Sequence, residues 1–315
     1  DLYVVGGLAE AREALMNVDT FSSAPARKGA SGSPVAVAYM KVLAERGWAR
    51  AVTLQRTDPP VHTRYRQILN RIFTPARVKQ LTPHIEDITR ELIDRMAEKG
   101  SCEFVADFAL PLPGVFICEQ LGLDRTQYRM FRRWAEAMLS LAQRPTMTME
   151  EAMEEVEIEL EAQHHLAAEV ERRRTEPTDD LISLIVNAHK QGGDEPFTMN
   201  ELQDLLHQLV TGGFETTTGA LSAAMWLLVK HPDQQQLLRE RPDLMGNFIE
   251  EALRFEAPVQ LNARYVFEDI EIGGSAIPEG STVVEFRRVL LHLLPRSTPP
   301  ATAPAPCSSC PQACA

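Results

Sequence analysis

At 315 residues, with 44% apolar and 24% charged side chains, the chain is long enough for one large domain or two ordinary ones and has the composition of a globular protein. Its formal net charge of -12 argues against nucleic acid as the main partner, because binding phosphates calls for a basic face. No apolar run is long enough to span a bilayer, no secretory leader is visible, and the five cysteines lack the regular framework of a small secreted protein, which points to a reducing, cytoplasmic setting with no membrane partner.

The chain opens on Asp1 rather than Met, and Tyr3-Val4-Val5 already reads as a strand, so an upstream segment is expected. Asp58-Pro59-Pro60 opens a helix, since a first helical turn tolerates proline's missing N–H. From Thr82 to Glu98, Ile85, Ile88, Leu92 and Met96 recur at helical spacing. Glu150 to Arg174 predicts a long helix whose charges form a solvated face.

Thr198-Met199-Asn200-Glu201 has the pattern of a capping box. Leu202, Leu205, Leu206, Leu209 and Val210 then mark one apolar stripe. The helical pattern runs to Val229-Lys230 and stops at His231-Pro232, because a residue before proline disfavours the helical region. Another helix is expected from about Asp243 to Phe255. After Pro258 the pattern turns to strand: Val266 to Ile272, a turn at Gly273-Gly274, a turn at Pro278-Glu279-Gly280, and a new strand from Val283. The whole reads as mainly α with a small β-sheet.

The long helix carries an unusual middle. Gly212 and Gly213 each cost roughly 1 kcal/mol there against alanine. Glu215 and three threonines, Thr216 to Thr218, follow directly. Threonine hydroxyls bond back to the preceding turn and bend helices, while glycine lets a ligand approach the backbone closely. The combination suggests a locally opened helix lining a pocket, with an acid and an alcohol placed for proton transfer. A glycine-tolerant contact between crossing helices accounts for the same residues.

Gly212-Gly213-Phe214-Glu215-Thr216 resembles the oxygen-binding segment of the cytochrome P450 family. By that resemblance the glycines make room for dioxygen over a haem, and Glu215 and Thr216 form the proton-relay pair. Glu251-Ala252-Leu253-Arg254 is similar to the family's ExxR pair, with Glu251 and Arg254 neighbours on a helix surface; an ordinary surface ion pair has the same spacing. His62 and Arg66, one helical turn apart, resemble the family's HxxxR region, which implies contacts to the haem propionates. Phe73-Thr74-Pro75 follows as in many soluble relatives, and Arg264 stands where the family often places a further propionate partner.

The resemblance covers most of residues 1–284 and implies a P450-like fold incomplete at both ends. It implies haem b as cofactor, a small apolar substrate, and electrons from NAD(P)H through a reductase and often a ferredoxin. The family's iron ligand is a cysteine in an FGxGxHxCxG loop, and no such stretch occurs in the 315 residues. Residues 285–315 instead form a Pro/Ala/Ser/Cys-rich tail without periodicity, expected to be disordered. The simultaneous loss of resemblance, periodicity and composition near residue 285 points to a truncated gene or a change of reading frame there. The resemblance therefore implies a monooxygenase by descent whose activity in this chain is doubtful. Two other readings stay open: a non-catalytic helical protein binding haem or an anion, and a metal-binding protein using Cys307, Cys310 and Cys314.

Overall fold

Side-chain oxygens open several of the longer helices. In this computed structural model, which describes residues 1–24, 33–189 and 195–286, Thr74, Thr148, Asp180 and Thr198 each accept a hydrogen bond from the N–H three residues on. Those N–H groups have no partner within the first turn. At Thr148 and Thr198 the glutamate three positions on bonds back, completing capping boxes.

The described residues form β1 (Leu2–Val5), α1 (Leu8–Met16), β2 (Phe21–Ser22), α2 (Pro34–Arg46), α3 (Val61–Ile72), α4 (Pro75–Lys99), α5 (Pro111–Gln120), α6 (Tyr128–Gln143), α7 (Met149–Thr175), α8 (Leu181–Asn187), α9 (Met199–Lys230), α10 (Pro232–Glu240), α11 (Met245–Phe255), β3 (Leu261–Val266), β4 (Ile270–Ile272), β5 (Ser275–Ile277) and β6 (Thr282–Phe286). The sheet order is β1-β6-β3-β2, with β1 parallel to β6 and the other pairs antiparallel. The hairpin β4-β5 forms a second small sheet, and its turn needs positive φ at both Gly273 and Gly274 (56° and 77°).

Three expectations are corrected in detail. Val266 to Ile272 is two strands: β3 ends at Val266, Phe267 N–H bonds Thr20 O, and β4 pairs in the other sheet. The helix expected from Thr82 begins at Pro75, where Thr74 supplies the cap. The helix expected from Asp243 starts with a tight turn, Pro242–Leu244, before α11. The tail from residue 287 onward, with Cys307, Cys310 and Cys314, lies outside the described residues, while β6 continues through Phe286.

The largest apolar cluster lies between α3, α5, α6, α7, α8 and the first half of α9, around Trp134, Leu166, Ile182 and Leu206. The charges of α7 are not all solvated: Glu159 and Arg173 are each 1% exposed. Arg173 donates to Asp180 (2.6 Å), Glu169 (2.6 Å) and the Gly122 carbonyl (2.9 Å). Burial of an ion is tolerable when it is paired and hydrogen-bonded in this way.

Candidate cofactor and substrate cavity

The main cavity, about 680 Å³, opens between α3, α4, α5 and α9. That volume lies in the range of small-molecule sites, roughly 300–1,000 Å³. Its walls are apolar, with Leu69 from α3, Phe116 and Ile117 from α5, and Leu209 from α9. Gly212 and Gly213 both line it. A Cβ at Gly212 would meet no protein atom within 4 Å, so the glycine leaves backbone bare toward the cavity.

Helix α3 turns one cation to the cavity and ties another elsewhere. Arg64 and Tyr65 donate to Glu201 at the start of α9 (2.9 and 2.6 Å), and Arg64 also lies over the Phe197 ring at 5.0 Å. Burial pushes the Tyr65 hydroxyl above its ordinary range, with Glu201 adding to the shift. Arg66 points the other way and lines the cavity with no acidic partner among the described residues. Arg77 lines it too, reaching Asp179 at 3.4 Å. His62, one turn before Arg66, is half-buried and is not a lining residue.

The glycine-bearing helix is not opened. Helix α9 is continuous from Met199 to Lys230, and the threonine hydroxyls bond back without breaking it: Thr216 to Gly212 O (2.6 Å), Thr218 to Phe214 O (2.9 Å). The hydroxyls share the carbonyls of the preceding turn with an unbroken helix rather than displacing its backbone bonds. Glu215 faces α6, where Gln143 Nε2 donates to it at 2.8 Å. Burial raises the Glu215 carboxyl above the usual carboxylate range; Glu136 adds to this and Gln143 opposes it. Thr217, rather than Glu215 or Thr216, lines the cavity.

Glu251 and Arg254 pair on α11 at 2.7 Å. Arg264 sits on β3 in register with Val283 and donates to Ala263 O at 2.9 Å. Neither the pair nor Arg264 lines the cavity. Cys118 is fully buried on α5, its thiol pushed up to about 12 by burial, and Cys102 is exposed. Neither cysteine lines the cavity.

A family model described as Cytochrome P450 matches residues 121–292. The 6-deoxyerythronolide B hydroxylase of Saccharopolyspora erythraea is 35% identical over 284 residues, 90% of this chain and 68% of its own length. The chain belongs to the cytochrome P450 family. The mycinamicin IV hydroxylase/epoxidase of Micromonospora griseorubida is 36% identical over 231 residues, 72% of this chain and 56% of its own. Among solved structures, cytochrome P450 CREJ in complex with (4-ethylphenyl) dihydrogen phosphate matches with a TM-score of 0.79 at 27% identity, covering 92% of this chain and 71% of that one. The chain thus spans 56% to 68% of the length of these two curated relatives.

Cytochrome P450 proteins are haem oxidoreductases, and the residues present fit one side of a haem. Bare glycine backbone, apolar walls and a cation free to meet a carboxylate suit a flat apolar ring system with acidic substituents. No thiol among the described residues faces that space. Sequence reasoning missed Arg77, Thr217 and Gln208 as lining residues. Gln208 was within reach, because it lies one turn before Gly212 and so on the same helix face.

Proposed function

We propose that the chain is a haem-dependent monooxygenase by descent, built to place a small apolar organic molecule against α9. The observation that carries this is the apolar cavity with Gly212 and Gly213 bare on one side and, at another, Arg66 without an acidic partner among the described residues. When bound, haem would supply the oxygen chemistry; the protein supplies position, protons and exclusion of water. Arg66, with His62 beside it on α3, would hold the propionates, and Arg264 would be a further partner. Glu215 and Thr216 would form the proton-relay pair: burial keeps a proton on the Glu215 carboxyl to higher pH, and delivery would require both side chains to leave their present partners, Gln143 and Gly212 O. Electrons would come from NAD(P)H through a ferredoxin reductase and a ferredoxin. The setting is cytoplasmic, in keeping with the absence, among the described residues, of any helix long and apolar enough to cross a membrane.

These 315 residues by themselves are proposed to hold haem without a thiolate ligand and to be inactive in oxygen insertion. Neither described cysteine lines the cavity, and the FGxGxHxCxG stretch is missing from the sequence. This favours haem binding without turnover as the second reading. The cysteine-tail metal reading rests wholly on residues outside those described.

Haemin titration of the purified chain, followed by reduction and carbon monoxide, tests both readings. The expected result is stoichiometric haem uptake, weakened roughly 10-fold or more by Arg66→Ala because a charge-assisted hydrogen bond is lost, and no thiolate-type spectrum. Failure to take up haem would overturn the cofactor assignment. A thiolate-type spectrum would overturn the inactive reading and identify an unexpected ligand.

A further inference from the structure

Residues 47–57, in the connection between α2 and α3, present Leu54 and Gln55 to the main cavity. Leu54 sits at φ 33°, in the left-handed region that strains a leucine and persists only where surroundings enforce it. The enforcing contacts are polar. Trp48 exchanges two backbone hydrogen bonds with the Gln163 amide, at 2.9 and 3.1 Å. Arg50 Nη2 reaches both carboxylate oxygens of Glu159, at 2.7 and 2.9 Å. Thr53 donates its hydroxyl proton to Asp204 Oδ2 and accepts from Gln208 Nε2 at 2.7 Å. Gln208 Nε2 also donates to Asp204 Oδ2 at 2.8 Å, and its oxygen accepts from Gln55 N–H at 3.2 Å.

Behind this cluster lies a second, very small cavity of about 10 Å³, bordered by Arg50, Asp204 and His207. Three buried polar atoms belong to those residues and have no hydrogen-bond partner among the described residues: Arg50 Nε, Asp204 Oδ1 and His207 Nδ1. Asp204 and His207 are 3% and 5% exposed. Their hydrogen-bonding roles are fixed. Arg50 Nε carries a hydrogen and can only donate; Asp204 Oδ1 can only accept. His207 Nε2 lies 3.2 Å from the Met138 carbonyl, which only accepts, so Nε2 bears the hydrogen and Nδ1 is left as an acceptor. The site therefore asks for one ligand atom that accepts once and donates twice. Water does that, and the cavity is about one water in size. A cation is disfavoured by the Arg50 guanidinium on the same wall.

We infer that this cavity binds a single structural water, accepting from Arg50 Nε–H and donating to Asp204 Oδ1 and His207 Nδ1, and that the resulting latch holds Leu54 and Gln55 in the wall of the main cavity. Asp204 joins the two halves of the latch: one oxygen faces the water, the other holds Thr53 and Gln208. Thr53, Asp204 and Gln208 are thereby positioning residues for the cavity, whatever molecule it takes.

A high-resolution crystal structure of the chain tests the water: density is expected within about 2.7–3.2 Å of all three atoms. No density there, or direct contacts among the three groups, overturns it. Hydrogen exchange read by mass spectrometry tests the latch. Thr53→Val should speed amide exchange within 47–57 by about 10-fold, the order expected for losing such hydrogen bonds, while helix α5 exchanges as before. Thr53→Ser, which keeps the hydroxyl, should behave as the parent chain. Unchanged exchange in Thr53→Val, an equal rise in α5, or an equal rise in Thr53→Ser would each overturn the latch.

Discussion

The two halves of helix α9 share one backbone and similar apolar content yet meet different surroundings. From Leu202 to Phe214 its apolar side chains are buried except the half-buried Leu209, with Leu202, Leu206 and Val210 at 1% exposure or less. From Glu215 to Lys230 no residue is buried, and Trp226 and Val229 are 57% and 60% exposed. The neighbouring α11 likewise leaves Met245, Ile249 and Phe255 exposed. As a whole the helix packs on α5, α6 and α7, on residues 105–109, and on α10 and α11. An apolar stripe thus states that a helix has a face to bury, and the tertiary contacts alone say whether anything buries it.

Mutations that probe each side sharpen this contrast. The largest effect is expected at Trp134, fully buried with its ring tilted against Phe131 at 5.0 Å: Trp134→Ala should cost about 3–5 kcal/mol in urea unfolding. A loss below about 1 kcal/mol would mean that the first core is looser than its burial implies. Arg173→Met should follow at roughly 3 kcal/mol, since it strands the buried Asp180 without its cation. Equal stability of variant and parent would show that Thr178 and the Ser183 N–H satisfy Asp180 by themselves.

His207 gives a smaller, pH-dependent effect on the buried half. Burial, aided by Arg50, pushes its pKa down from 6.5 to about 3. Between those values the unfolded chain takes up a proton that the folded chain refuses. Stability should therefore be intact above pH 6.5 and fall as pH drops toward 3, by up to ~1.4 kcal/mol per unit from this residue. His207→Gln should show a correspondingly flatter profile between pH 6.5 and 5; parallel profiles would place the histidine's proton elsewhere. At the other end of α9, Trp226→Ser should change stability least, by under about 1 kcal/mol, because the side chain is 57% exposed and the Lys230 ammonium lies over its ring at 4.5 Å. A loss comparable to that at Trp134 would show that the exposed half is covered in solution.

Much of the helical framework was legible beforehand. The capping box at Thr198, the stop at His231-Pro232 and the turns at Gly273-Gly274 and Pro278–Gly280 all rest on local chemistry within a few residues, and all stand. What the sequence obscured was long-range. Glu159 and Arg173 looked like members of a solvated charge run, yet their partners, Tyr39, Arg50 and Gly122 O, come from distant segments. The strand from Val266 to Ile272 divided because its two ends pair in different sheets. The candidate site was legible in part: Gly212, Gly213 and Arg66 meet at one cavity, while His62, Glu215, Thr216, Glu251, Arg254 and Arg264 lie off its lining.

By itself the sequence determined the helical periods, the caps and the run Gly212–Thr216, because those depend on neighbours three or four positions away. Only the tertiary structure decided which charges are buried, which face of α3 turns Arg66 to the cavity, and how Asp204 latches Thr53 and Gln208. Those outcomes depend on groups up to 155 residues apart that come into contact only when the helices pack.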